Sequence, residues 1–214
     1  MKKYVDKLSD CKVALINLYA ESVDMSNTHF QYNIFLSCIL DRALSVNRGY
    51  MALTDSNNYF CAVAMLRMQI ENCTRLYGMT LVDDASKYIL NWMGGEKISK
   101  FQDVETHISL SDSYIASILE KQYKNIAAMY KEACGFVHFS ERQLYDTAKV
   151  KQGTRTVNLK VSEEDSLKDE EKQNIDRCML NVNNMLIDIV INISKEYGKQ
   201  NRTREICGAD GNEN

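Results

Sequence analysis

The sequence predicts an all-α protein, an up-and-down helical bundle carrying one small β-hairpin. Three observations lead there. The 214 residues include no proline, which helix interiors exclude because it removes a backbone donor and clashes with the preceding turn. Apolar residues recur three and four apart over long stretches, the spacing of one helix face. At 45% hydrophobic and 26% charged, the composition is that of an ordinary globular chain, long enough for a bundle domain over residues 1–198.

The first helix is expected over Lys3 to Val23, with Val5, Leu8, Cys11, Leu15 and Leu18 on one side. A turn at 24–27 leads to a second, from Thr28 to Leu53. Its centre, Ile34 to Leu40, is apolar around most of its circumference, which marks a central helix. Asp55-Ser56-Asn57-Asn58 supplies N-cap oxygens for a third helix, Tyr59 to Leu81, striped by Val63, Leu66, Ile70, Cys73 and Tyr77. Asp83 and Asp84 open a short helix to Trp92, closed by Gly94-Gly95. Residues 96–111 are weakly patterned. Ser111-Asp112 then caps a helix expected to run unbroken to Cys134, with Gly135 as its stop signal.

Beyond it, Leu144 to Val150 and Arg155 to Val161 flank Lys151-Gln152-Gly153-Thr154, and Val157, Leu159 and Val161 alternate with polar residues. That pattern reads as a hairpin over about 144–161. The last helix is expected over Glu170 to Tyr197, with Ile175, Met179, Val182, Leu186, Ile189 and Ile193 in one stripe. The polar tail after Gly198, residues 199–214, is expected to be disordered.

Composition excludes several classes of function. A formal net charge of −3 gives no overall attraction to nucleic acid or anionic membrane. No apolar run approaches a membrane span and no signal-peptide core follows the N-terminus, so a cytoplasmic protein without membrane contact is expected. The seven cysteines are odd in number and form no C-x-x-C pair, which reads as reduced thiols and not as a disulfide framework or zinc site. His29 and His107 lack ligand-like spacing and no phosphate-binding glycine loop occurs, so no metal or cofactor is expected. Charge is nevertheless uneven. From Lys121 to Lys160 eight basic residues stand against three acidic ones, and the acidic run Glu163 to Glu171 follows. Such a segment is either a set of solvated faces or an anion-binding surface.

Two stretches carry candidate chemistry. On the third helix Arg67, Glu71 and Arg75 are spaced by four, so Arg67 and Glu71 are expected to pair. The ladder either ties helices together or lets Glu71 orient Arg67 toward an anion. Just past Gly135, Val137-His138-Phe139-Ser140-Glu141-Arg142 puts an imidazole, a hydroxyl and a guanidinium at a helix end. His138 has the side chain suited to acid–base work near neutral pH, or else holds a backbone carbonyl where the chain turns. Ser140 is a capping or orienting hydroxyl, and Arg142 a candidate anion contact.

Leu66-Arg67-x-x-x-Glu71 together with Val137-His138-Phe139-Ser140 resembles a poorly characterised group of bacterial helical proteins related to the HEPN (higher eukaryotes and prokaryotes nucleotide-binding) superfamily. The likeness spans Ala43 to Arg142, about half the chain. It implies a helical bundle, frequently dimeric, in proteins linked to toxin–antitoxin and anti-phage systems. It also implies that active members are metal-independent ribonucleases with an Arg-x4–6-His motif, the arginine on the scissile phosphate and the histidine as acid or base. At that spacing before His138 stand Lys131, Glu132 and Ala133, with no arginine. The expectation is therefore a non-catalytic HEPN-like binding module, acting through a helical protein partner or as a homodimer in defence or stress response. The alternative is a ribonuclease or nucleotide-binding protein in which His138 works with Arg67, Arg142 contacts phosphate, and Glu71 and Ser140 orient. Convergence of Arg67, Glu71 and His138 in an open cleft separates the two.

Overall fold

In a chain without proline, caps and left-handed residues decide where helices stop. A computed structural model describes residues 2–22, 30–138, 147–150, 157–159, 161 and 167–209. Helices α1 (Lys2–Ser22), α2 (Phe30–Asp55) and α3 (Tyr59–Gly78) come first. The Asn58 side chain accepts from the Cys61 amide and starts α3. Asp84 does the same for Lys87 at the head of α4 (Ala85–Met93). A 3-10 turn (Ile98–Lys100) and a bridge between Gln102 and Ser109 occupy the weakly patterned stretch. Ser111 caps α5 (Asp112–Leu119), and α6 (Ile126–Val137), β1 (Ala148–Val150), β2 (Val157–Leu159) and α7 (Asp169–Ala209) complete the order.

The chain is an all-α bundle. α1 packs on α2 and α7, and α3 packs on the same two helices, so the four close a ring. Leu15, Phe35, Leu36, Ile70, Leu76, Leu186 and Val190 fill it with no exposed surface. Burying each such side chain stabilises by about 1.5–3 kcal/mol. Bonds from Tyr32 to Ser194 and from Tyr50 to Asp176 show α2 and α7 running in opposite directions. Tyr59 to Asp176 and Gln69 to Asn183 show α3 and α7 running the same way, because α4 to α6 carry the chain back between them. α4 packs on α2, where the ring of Phe35 meets Trp92 edge-on at 4.9 Å, while α5 and α6 both lie on α3. The hairpin is present, with Ala148 opposite Leu159 and Val150 opposite Val157; residues 144–146, 151–156 and 160 of the expected arms lie outside the described residues.

Three boundaries differ from expectation. The helix anticipated from Ser111 to Cys134 is two helices, because Asn125 takes a left-handed conformation (φ 70°), which asparagine tolerates. The Glu120 carboxylate then caps the new start, accepting from the amides of Asn125 at 2.7 Å and Ala127 at 2.9 Å. The bend lets both segments lie on α3, where one straight helix would cross it once. Gly135 does not stop α6, which runs two residues further, to Val137. Gly198 does not end α7 either: Lys199, Gln200, Arg202, Arg204 and Glu205 favour helix enough to offset a glycine costing about 1 kcal/mol, and the helix reaches Ala209. The expected tail is thus helical up to that point, and residues 210–214 lie outside the described residues. Among the described residues no helix is long and apolar enough to cross a membrane.

Candidate functional site

α3 carries Arg67, Glu71, Thr74 and Arg75 at helical spacing; Arg67, Thr74 and Arg75 reach α5 or α6, and Glu71 faces α2. The expected Arg67–Glu71 pair does not form. The Glu71 carboxylate is taken from both sides, by Arg75 at 2.8 Å and by Arg42 of α2 at 2.9 Å. Arg67 turns the other way. Its Nη2 donates to Asp112 Oδ2 at 3.1 Å and to the Tyr130 hydroxyl at 3.2 Å, and its Nε to Cys134 Sγ at 3.3 Å. The guanidinium carbon lies 4.4 Å from the Tyr130 ring centre, within cation–π range. Glu71 therefore orients Arg75 and Arg42, not Arg67, because Asp112 offers a carboxylate on the side of α3 that α5 covers.

Asp112 is the hub. Its Oδ1 accepts from the Thr74 hydroxyl at 2.8 Å and from Arg75 Nη1; its Oδ2 accepts from Arg67 and from Arg75 Nη2 at 3.4 Å. The side chains of Arg67, Arg75 and Asp112 are only 13–20% exposed, which sets them apart from surface ion pairs. Burial works against the charge on Arg67, but the bond to Cys134, then Tyr130 and Asp112, more than compensate and hold the guanidinium above its usual basicity. Burial pushes the Tyr130 phenol up despite the opposing charge of Arg67. Arg67 Nη1 is buried with no hydrogen-bond partner among the described residues, so it is closed to a phosphate oxygen approaching from solvent.

The ladder continues inward through amides. Arg42 donates to Asn72 Oδ1 at 2.5 Å, Asn72 to Gln69 at 3.0 Å, and Gln69 to Asn183 at 2.8 Å. Asn183 and Asn47 exchange two bonds, at 2.7 and 2.9 Å, in the middle of the bundle. Gln69, Asn72 and Asn183 are fully buried. A second buried group, Asp176 of α7, accepts from Tyr50 at 2.8 Å and Tyr59 at 3.2 Å. Desolvation first, and then the Asp176 charge, keep the Tyr50 hydroxyl protonated far above the ordinary range for tyrosine. These polar groups are satisfied and interior, the arrangement that specifies one packing.

His138 stands outside this network. It is the C-cap of α6 in an extended conformation, its backbone amide bonded to Cys134 O at 3.0 Å, and its side chain is exposed. Arg67 reaches α6 one turn short of it, at Tyr130 and Cys134. Arg67 and His138 thus lie at neighbouring turns of one helix, and among the described residues no hydrogen bond joins them or pins the turn through the His138 imidazole. Ser140 and Arg142 lie outside the described residues. A cleft of about 550 Å³ opens beside the ladder, lined by Arg75, Trp92, Glu96, Lys97, Asp112 and Tyr130. Arg75 and Glu96 are already paired there, with Asp112 and Lys100. Among the described residues no three His, Cys, Asp or Glu side chains gather as metal ligands.

The sequence pointed to Arg67, Glu71 and Arg75, but not to Asp112, Arg42, Tyr130 or the amides. Asp112 read as a helix-start residue, and nothing in its local context linked it to a helix some 40 residues earlier. Compared with family models, curated proteins and solved structures, the chain finds no match.

Proposed function

We propose that this chain is a non-catalytic helical binding module that acts through self-association or a helical protein partner. The observation that carries the reading is the engagement of Arg67. Its guanidinium is committed to Asp112, Tyr130 and Cys134, with its last nitrogen buried, while His138 faces solvent a turn away. A general acid–base pair needs the imidazole and the phosphate-holding cation to converge on one reacting atom, and these two do not. The HEPN likeness adds an expected setting, anti-phage defence or stress response, and rests on the motif residues alone.

Exposure of His138 alters what a stability measurement says about it. Removing an exposed side chain costs within about 0.5 kcal/mol whether or not it is catalytic, so only an activity assay discriminates. Purified protein incubated with total RNA in EDTA, beside His138→Ala and Arg67→Ala, is expected to leave the RNA intact in every sample. Cleavage by the wild type that folded His138→Ala loses would overturn the proposal in favour of a metal-independent ribonuclease.

A further inference from the structure

We infer that the cavity between the α5–α6 turn and α7 binds a free aliphatic amino acid, with Lys124 and Asp188 taking the two charges of its head group. The inference goes beyond the self-association reading and does not depend on it. The cavity measures about 220 Å³. At about 30 Å³ for each water in the liquid, it has room for roughly seven waters. That is the size of a single amino acid, and too small for a drug-sized ligand.

Its walls are of two kinds. Val182 and Met185 stand three apart on α7, and Ile126 and Met129 three apart on α6, so each helix offers the cavity one face. Ile126, Val182 and Met185 are buried, and with Met129 they form an apolar floor. Such a floor accepts hydrocarbon, and methionine adapts to its shape. Lys124 on the turn, with Asn184 and Asp188 one turn apart on α7, is exposed and borders the same cavity.

Lys124 and Asp188 select the head group. Both line the cavity, and among the described residues neither forms an ion pair, with the other or with any third group. A ligand carrying only a carboxylate would suit Lys124 and meet Asp188 as a like charge; a simple amine would do the reverse. An α-amino acid carries ammonium and carboxylate on one carbon and suits both. Tyr123, also in the wall, adds a donor. Its hydroxyl is buried with no hydrogen-bond partner among the described residues. Burial first, and then the charge of Asp188, push it up to about 12, so it keeps its proton at neutral pH. A buried donor of this kind calls for an acceptor that the chain does not supply, and a carboxylate beside Lys124 is one. Because Asp188 acts on Tyr123, the neighbour of Lys124, these polar groups gather at one end of the cavity. Met129 lies toward the other, where it also lines a hollow with Ile175 and Cys178 earlier on α7. Head group and hydrocarbon thus have separate ends, as in leucine.

Calorimetric titration of the full chain with leucine, isoamylamine and isocaproate tests this. Leucine is expected to bind. The amine, which lacks the carboxylate, and the acid, which lacks the ammonium, are each expected to bind at least about tenfold more weakly, the effect of losing one charge-assisted hydrogen bond. In Lys124→Met leucine should bind no better than isoamylamine, and in Asp188→Asn no better than isocaproate. A folding defect would not match each variant to one analogue in this way, and both side chains are exposed, so helical circular dichroism should be unchanged. No binding of leucine at millimolar concentration would overturn the inference. So would either analogue binding as tightly as leucine, or a leucine affinity that both variants leave unchanged.

Discussion

Asp112 faces both terminal nitrogens of Arg75, Oδ1 toward Nη1 and Oδ2 toward Nη2 at 3.4 Å, from the first turn of a different helix. A bidentate pair of this kind fixes distance and angle together. It is the joint by which α5 is held on α3, and Arg67 and Thr74 close on the same carboxylate.

Asp112→Asn is accordingly expected to destabilise the protein by about 2–3 kcal/mol. That is below the loss on breaking fully buried pairs, in keeping with the residual exposure of the groups. Two arginines then face a neutral amide in a half-closed site. Glu96→Gln, which removes the exposed partner of Lys100, is the control and should change stability by no more than about 0.5 kcal/mol. Urea denaturation of the two variants measures both. A loss at Asp112 no larger than at Glu96 would show that the ladder contributes little to stability.

The start of α6 should make stability depend on acidity. The bonds from the Ala127 and Asn125 amides hold the Glu120 carboxyl below the usual carboxylate range. A carboxyl with a depressed folded pKa contributes stability that is fully present above its unfolded value, about 4.3, and is lost as pH falls through the folded value. The wild type should therefore melt higher than Glu120→Gln at neutral pH, and the gap should narrow as the buffer is taken below about pH 4. Melting curves across that range decide it; a gap constant with pH would mean that the charge on Glu120 has no part in the cap.

Gly78 ends α3 where α4 and α5 meet it. A methyl group there would lie 2.9 Å from the Tyr88 hydroxyl and 3.2 Å from Ile115 Cδ1. Tyr88 is buried and its hydroxyl donates to Arg75 O, so it has little freedom to yield. Gly78→Ala is expected to cost about 1–3 kcal/mol through overpacking, despite the better helix propensity of alanine. Guanidinium unfolding that shows equal or greater stability would mean that Tyr88 moves aside freely.

The amide pair Asn47–Asn183 offers a coupling measurement. Asn183→Ala strands Asn47 and Gln69 inside the bundle, and each buried unsatisfied group costs about 1–3 kcal/mol. Asn47→Ala leaves Asn183 still bonded to Gln69 and Met179, so it should cost less. The double variant should lose less than the sum of the two singles, by at least about 0.5 kcal/mol. Additive losses would show that the amides act independently.

How much was legible varies residue by residue, and for physical reasons. The helices announced themselves because each buries a stripe whose period is local. Asn58, Asp84 and Ser111 did so as caps because a cap is a contact over three residues. The broken helix at Asn125 was hidden, since a left-handed asparagine looks like any asparagine until Glu120 folds back on it. Arg67 and Glu71 were recognised as charged partners with the wrong pairing, because the four-residue spacing shows who is near on one helix and not what a second helix brings. His138 stood out by its residue type, yet its exposure depends on where α6 happens to end.

Sequence by itself therefore determined the class of fold, the apolar faces, most helix starts and the presence of the hairpin, all of which follow from interactions within a few residues of one another. Only the tertiary structure decided that Asp112, not Glu71, takes Arg67, that Arg42 links the charged ladder to the buried amides, and that His138 is left in solvent. The first two are pairings across 29 to 45 residues of chain between separate helices, and no local period encodes them, because charge and amide partners are chosen by whichever side chains packing of the apolar stripes brings within 3 Å or so.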